Sequence, residues 1–160
     1  MKRGYLFIAA ALFFVYISSA CAIENKGVHN PIENMDVCER FSLSLYEYYI
    51  GSEEDWIRYD IIRETNDTYI VCNDDASKKK VTELVDISVG TVLRDISSAM
   101  GRQPDYISIN DNEIIFWEEG YGEQIIYSVD GSKPENKISP NNEDLYFVQY
   151  DEHWYAYQLR

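Results

Sequence analysis

Residues 105–129, DYISINDNEIIFWEEGYGEQIIYSV, decide the fold, because they hold three β-prone segments in immediate succession. The segments are rich in Ile, Tyr, Phe and Trp, and short polar or glycine-containing stretches separate them. Two further segments of the same kind follow, LYFVQY at residues 145–150 and HWYAYQL at residues 153–159. Such spacing predicts a meander of adjacent antiparallel strands from about residue 104 to the end of the chain.

Upstream of the meander, apolar residues at helical intervals predict a first helix from about residue 36 to residue 50. Asp36 and Glu39 stand at the spacing of a capping box, which marks a helix start, and Gly51 stands where the helix is expected to end. The residues that define the apolar spacing are Val37, Phe41, Leu45 and Tyr48.

A change of period after the first helix predicts a β-hairpin. β-Branched and aromatic residues flank Asn66 and Asp67, so strands are expected at about 56–64 and 68–73. The segment VTELVDI, residues 81–87, is a candidate third strand.

A second helix is predicted between Ser88, a candidate N-cap, and Gly101, a residue typical of helix ends. Because helices and strands do not alternate strictly as βαβ units, the pattern favours an α+β fold over a parallel α/β sheet. We therefore expect an antiparallel sheet of about five to seven strands with two helices packed on one face.

The N-terminus has the three-part layout of a secretory signal peptide. Lys2 and Arg3 precede an uncharged apolar run at residues 5–17, which is shorter than the roughly 20 residues of a membrane-spanning helix. Small residues then end the run. The predicted organisation is a signal peptide at 1–22, a flexible leader at 23–35 and a single domain at 36–160.

This layout predicts an exported protein, periplasmic or secreted, with no membrane insertion after the signal is cleaved. A lipid anchor at Cys21 is the alternative. Ser18 stands three places before Cys21, where lipid attachment normally wants an apolar residue, whereas cleavage after Ala22 satisfies the small-x-small pattern. Cleavage is therefore favoured.

Removal of the signal leaves Cys38 and Cys72 as the two remaining cysteines. Export places them in an oxidising compartment, where a pair of thiols tends to close. We therefore predict a disulfide that joins the first helix to the hairpin. On the chain-entropy model, closing this loop would stabilise the fold by roughly 4 kcal/mol.

The exported part is strongly acidic. Lys2 and Arg3 are the only charged residues before residue 23, so 12 basic and 28 acidic side chains remain, a formal charge of −16. This charge argues against nucleic acid and against an anionic membrane as partners, since both would repel the protein. It would attract a basic protein, although acidity that serves only solubility is an open alternative.

The sequence predicts no catalytic residues, no metal and no cofactor. It contains no G-x-S-x-G motif, P-loop or glycine-rich dinucleotide turn. Its two histidines, His29 and His153, have no local catalytic signature, and two oxidised cysteines would not supply a zinc site. Glu118 and Glu119 are adjacent in an expected turn, which points them apart, and Asn- and Asp-rich stretches such as residues 110–113 are best interpreted as turns.

Aromatic residues crowd the last hairpin. Strict alternation places Trp154 on one face of the final strand and Tyr155 and Tyr157 on the other, and one of these faces is expected to be exposed. The residues of this candidate binding surface are His153, Trp154, Tyr155, Tyr157, Tyr150 and Glu152.

These features together predict an exported, acidic, non-enzymatic protein-binding domain, such as an immunity protein or an inhibitor that neutralises a basic partner. The alternative is an envelope lipoprotein or ligand-binding module that holds a small molecule or glycan on an aromatic face. Asn66-Asp67-Thr68 also matches the N-glycosylation acceptor pattern, which matters in a eukaryotic or viral host.

Overall fold

The computed structural model describes residues 30–73, 79–134 and 145–159 of the chain, which form two α-helices and ten β-strands. The helices are α1 (Met35–Ile50) and α2 (Val89–Met100). The strands are β1 (Ile57–Glu64), β2 (Asp67–Cys72), β3 (Lys80–Val81), β4 (Glu83–Leu84), β5 (Ile87–Ser88), β6 (Tyr106–Ile109), β7 (Glu113–Trp117), β8 (Gln124–Ser128), β9 (Leu145–Gln149) and β10 (Trp154–Leu159).

Eight of these strands form one antiparallel sheet in the order β3-β2-β1-β6-β7-β8-β10-β9. The mixed helix and sheet architecture is confirmed, and so is each strand predicted after residue 104. The expected five to seven strands were too few. The candidate strand at 81–87 is instead broken, because Val85 and Asp86 adopt positive φ values of 51° and 60° and form a tight turn between β4 and β5.

Both helices pack on the same face of the sheet. Their buried residues form one cluster with the inward positions of the strands, such as Ile107, Ile109 and Phe116. Successive side chains of a strand point to opposite faces of the sheet, so neighbouring residues such as Ile115 point away from the helices. The sheet therefore has one main core, which lies between it and the helices.

The capping box predicted at Asp36 and Glu39 does not form. Helix α1 follows Asn34, whose φ is +48° and whose side chain makes no cap hydrogen bond. The Asn34 amide instead donates to Asp95 of α2 at 2.9 Å, and Glu39 accepts a hydrogen bond from the Tyr127 hydroxyl at 3.0 Å. Contacts with α2 and the sheet, and not a local cap, therefore hold the start of α1.

The end of the predicted leader is part of the domain. Ile32 is buried in the main core, and the Asn30 side chain donates to the Ser98 carbonyl of α2 at 3.1 Å. Residues 30–35 therefore contact the domain through the Ile32 and Asn30 side chains. The signal peptide at 1–22 and the rest of the leader, residues 23–29, lie outside the described residues.

A second, smaller core lies on the sheet face opposite the helices. The segment after β8 turns at Gly131, where φ is +75°, a conformation that glycine adopts without strain. The Tyr155 hydroxyl donates to the Gly131 carbonyl at 2.8 Å, and Pro134 is buried. The buried members of this core are Ile115, Ile126, Tyr155 and Tyr157.

The disulfide predicted between Cys38 and Cys72 is absent from the structure, in which both are free, buried thiols. Cys38 lies in the first turns of α1. Cys72 lines a cleft beside Leu45 and Tyr48, which lie further along the same helix.

Thiol labelling tests this arrangement. Burial, with the negative charges of Asp95 and Asp36, raises the pKa of Cys38 to about 12, so its reactive thiolate is scarce at pH 8. We expect that N-ethylmaleimide leaves Cys38 unmodified in the folded protein and adds to both cysteines in urea without a reducing agent. Intact-mass spectrometry counts the adducts. A protein that gains no adduct in urea would contain the disulfide.

Core packing gives a second prediction. Phe116 is fully buried, with its ring 6.5 Å from that of Trp154. Phe116→Ala should lower the free energy of unfolding by about 3–5 kcal/mol, since it leaves a cavity between sheet and helices. Ile62→Ala, on the more exposed side of β1, should cost less than about 1 kcal/mol. Urea denaturation followed by tryptophan fluorescence measures the free energy of unfolding of both variants. Equal decreases in the two variants would contradict the placement of the core.

Candidate functional site

The aromatic surface predicted on the last hairpin is not formed. Trp154, Tyr155 and Tyr157 are only 0%, 2% and 6% exposed. Trp154 packs in the main core beside Tyr127, with ring centroids 5.0 Å apart, while the two tyrosines lie in the second core. The alternation was predicted correctly, but both faces of β10 are covered, so neither presents aromatic rings for binding.

The remaining members of that predicted surface have structural contacts of their own. Tyr150 packs against the main core, and burial raises its pKa to about 12. The His153 ring contacts the Ser128 carbonyl at 2.7 Å, a hydrogen bond that raises the pKa of His153. Glu152 is exposed at the hairpin turn. Of the six predicted residues, only Glu152 offers most of its side chain to solvent.

A different part of the chain exposes large apolar side chains. Tyr48, Ile50 and Trp56 are 58%, 62% and 48% exposed, and they fall within nine consecutive residues at the end of α1 and the start of β1. We call residues 47–56 the α1–β1 junction. It combines these three side chains with four exposed carboxylates, those of Glu47, Glu53, Glu54 and Asp55.

The four carboxylates of the junction are not held in ion pairs by the described residues. None of them forms a salt bridge with a residue in the described part of the chain, and the nearest basic residues in sequence are Arg40 and Arg58. Arg58 is already engaged, since its guanidinium lies 2.7 Å from Asp60 and 3.3 Å from Glu119. The junction is therefore a local concentration of negative charge.

The turn between β6 and β7 holds the junction in place. The Tyr49 hydroxyl donates to the Asp111 carboxylate at 2.8 Å, and the Tyr46 hydroxyl donates to the Asp111 backbone carbonyl at 2.7 Å. Ser52 donates to the Tyr49 carbonyl at 2.7 Å through its hydroxyl, just beyond the end of α1. The exposed side chains of the junction are thus carried on a fixed backbone at its helical end.

Sequence reasoning missed the junction because it placed Tyr48 on the buried side of α1. The buried residues of this helix are Cys38, Phe41, Ser42, Leu45 and Tyr49. Tyr49, one position later, occupies the buried row, and Tyr48 is turned outwards. The run of acidic residues in GSEEDW at 51–56, free of any basic residue, was the available signal.

Other residues considered for chemistry serve as turn residues. The Glu118 carboxylate accepts the backbone N–H groups of Gly120 and Tyr121 at 3.0 and 2.7 Å. The Asn110 side chain likewise accepts the N–H groups of Asn112 and Glu113.

Within residues 30–73, 79–134 and 145–159, no three His, Cys, Asp or Glu side chains are grouped to hold a metal ion. Asn66 of the glycosylation pattern is exposed in the turn between β1 and β2.

Comparison of the chain with protein-family models, with curated proteins and with solved structures returned no match. No helix in the described part of the chain has the length and apolar character needed to cross a membrane.

The bond between Tyr49 and Asp111 predicts a pH dependence of stability. This hydrogen bond, followed by burial, raises the pKa of Tyr49 to about 12, above the ordinary tyrosine value of about 10. Its stabilisation is therefore complete below about pH 10 and is lost as the pH rises through about 12. At pH 8, Tyr49→Phe should lower the free energy of unfolding by about 1.5–3 kcal/mol.

Urea denaturation at pH 8 and at pH 11.5 tests this prediction. The difference in the free energy of unfolding between Tyr49→Phe and the native protein should be smaller at the higher pH. Tyr48→Phe, on the outward side of the same turn, is the matched control. Its free energy of unfolding should equal that of the native protein at both pH values. A stability difference between Tyr49→Phe and the native protein that increases with pH would contradict the hydrogen bond from Tyr49 to Asp111.

Proposed function

We propose that the chain is an exported, non-enzymatic domain that binds a basic protein through the α1–β1 junction. The observation that carries the proposal is the combination of Tyr48, Ile50 and Trp56, all well exposed, with four carboxylates that form no salt bridge with a described residue. Exposed apolar groups rimmed by charge are typical of surfaces that bind other proteins.

The two components of the junction have different roles in binding. Tyr and Trp supply large, rigid contact areas and are over-represented among the residues that dominate binding energy. Uncompensated carboxylates speed the encounter with a positively charged partner and disfavour acidic ones. The formal charge of −14 for the whole chain acts in the same direction at longer range.

The specific role that we favour is that of an immunity protein or inhibitor, which neutralises a basic toxin or enzyme by binding it. The predicted signal peptide at residues 1–22 supports export, and a small acidic domain with an aromatic docking surface suits a one-to-one complex. The proposed surface differs from the C-terminal hairpin expected from sequence, whose aromatic residues are committed to the two cores.

Photocrosslinking in the organism that encodes the chain tests the proposal. A benzophenone amino acid replaces Tyr48 in the full-length protein, and in a second strain it replaces Tyr121. Tyr121 is 50% exposed and lies in the turn between β7 and β8, so it is a matched control. We expect an adduct with a basic protein at position 48 only. No adduct at either position, or the same adduct at both, would reject the junction as a docking surface.

Charge reversal then tests the electrostatic part with the crosslinked partner in purified form. The variant Glu53→Lys, Glu54→Lys, Asp55→Lys should slow association at least tenfold at low salt and flatten its dependence on ionic strength. Glu33→Lys, Glu64→Lys, Glu152→Lys has the same net charge at exposed sites elsewhere and should slow association less than about threefold. Equal effects would show that net charge, and not the junction, attracts the partner.

A further inference from the structure

We propose that the cleft between α1 and the β2–β4 region binds a small amphipathic anion, with a neutral hydrogen-bonding oxygen at its inner end and an anionic group at its outer end. The cleft has a volume of about 350 Å³, at the lower end of the range for small-molecule sites. The cleft shares Tyr48 with the junction, but ligand binding is measured without a protein partner, so each proposal can fail without the other.

Apolar side chains form the walls of the cleft. Leu45 and Tyr48 contribute from α1, and Val81 and Leu84 contribute from β3 and β4. Tyr59 and Cys72, which face each other as partners of the β1–β2 register, lie at the sheet side and are buried. An apolar stretch of ligand between these walls would gain from the removal of its surface from water.

The Tyr59 hydroxyl offers a hydrogen-bond donor to a ligand in the cleft. Five of the described tyrosines are buried, and four of them donate a hydrogen bond to a described acceptor, whereas Tyr59 does not. Those four are Tyr49, Tyr127, Tyr155 and Tyr157. Burial raises the pKa of Tyr59, so its phenol keeps the proton and remains a donor.

The position of the Tyr59 hydroxyl distinguishes it from polar atoms that are sealed in the core. Ser42 Oγ and Trp154 Nε1 are unpaired atoms that no solvent reaches, whereas the Tyr59 side chain opens on the cleft. The Tyr59 hydroxyl is not among these sealed atoms, so water reaches it, and a ligand oxygen in the cleft would accept the same hydrogen bond in place of that water. The inner end of the ligand is therefore expected to carry a neutral hydroxyl or carbonyl, since a buried carboxylate there would lack a counter-charge.

Lys79 supplies the charge at the mouth of the cleft. Its exposed side chain forms no ion pair with a described residue. The next residue, Lys80, pairs with Asp67 and lies over the Tyr69 ring at 3.9 Å, so its ammonium group is committed elsewhere. Glu83 also lines the cleft and disfavours ligands with a second anionic group. One anionic group facing Lys79 is therefore the best match.

An ω-hydroxy fatty acid of medium length has this arrangement of groups, and three probes separate its parts. The first probe is 10-hydroxydecanoate, which has both polar ends. Decanoate lacks the inner hydroxyl, and 1,10-decanediol lacks the anionic group. Isothermal titration of the folded, signal-free chain should give the tightest binding for 10-hydroxydecanoate. A single neutral hydrogen bond predicts that decanoate binds about two- to tenfold more weakly.

Two variants assign the groups that recognise the ligand. Tyr59→Phe removes only the hydroxyl and should abolish the preference for 10-hydroxydecanoate over decanoate. Lys79→Gln should abolish the preference for 10-hydroxydecanoate over the diol. Lys133→Gln is the matched control, because Lys133 is exposed on the opposite side of the sheet, over the Phe147 ring. It should leave both preferences unchanged.

Cys72 provides a readout that is specific to the cleft. Bound 10-hydroxydecanoate should slow the alkylation of Cys72 by N-ethylmaleimide at least fivefold, and Cys38, which does not line the cleft, should stay unmodified throughout. Absence of saturable binding by all three probes would overturn the proposal. Binding that neither depends on the Tyr59 hydroxyl nor protects Cys72 would overturn it equally, since the probes would then be held elsewhere.

Discussion

The pairing of β1 with β6 is the interaction on which the rest of the structure depends, since it alone joins the two halves of the sheet. On one side of it lie β2 and β3, and on the other lie β7, β8, β10 and β9. Both faces of the sheet support this pairing. On the helix side Tyr59 is opposite Ile107, and on the other side the Arg58 guanidinium lies 3.9 Å from the centre of the Tyr106 ring. A slip of one residue would expose the buried partners and break the cation–π contact.

The same pairing explains the positions of both proposed sites. Tyr59 belongs to β1, so the register that buries its ring also places its hydroxyl in the cleft beneath α1. Trp56 immediately precedes β1, and the turn between β6 and β7 supplies Asp111, which holds the end of α1 through Tyr49. The docking surface and the cleft meet at Tyr48, which belongs to the junction and also lines the cleft. Neither site would survive separation of the two halves of the sheet.

Local sequence signals predicted the elements well where the signal and the tertiary contacts agree. Helix α2 lies between Ser88 and Gly101 as predicted, and Gly101 has the positive φ that a helix end often requires. The signals failed where distant residues compete for the same groups. Glu39 does not complete a cap, because its carboxylate accepts a hydrogen bond from the Tyr127 hydroxyl. The Asn34 side chain likewise donates to Asp95 of α2 and does not cap its own helix. A contact between residues 88 positions apart has no trace in a local pattern.

The prediction of exposure failed for a related reason. Period-2 alternation assigns residues of β10 to two faces, but it does not say what covers each face. The second face is covered because the chain turns at Gly131 and returns over Tyr155, which leaves no exposed aromatic strip there. The disulfide prediction failed as well, since an argument from the compartment says nothing about where the fold places each thiol, and both are free in the structure.

The α1–β1 junction is unfavourable for an isolated chain, which is why its presence supports a binding role. Four neighbouring carboxylates that form no salt bridge with a described residue repel one another, and three large apolar side chains remain in contact with water. Neither feature helps the fold, because the contacts that hold this region are made by Tyr46, Tyr49 and Ser52 instead. Replacing Tyr48 or Trp56 by a polar residue would remove none of those contacts. A partner that covers the apolar groups and neutralises the carboxylates accounts for both features at once.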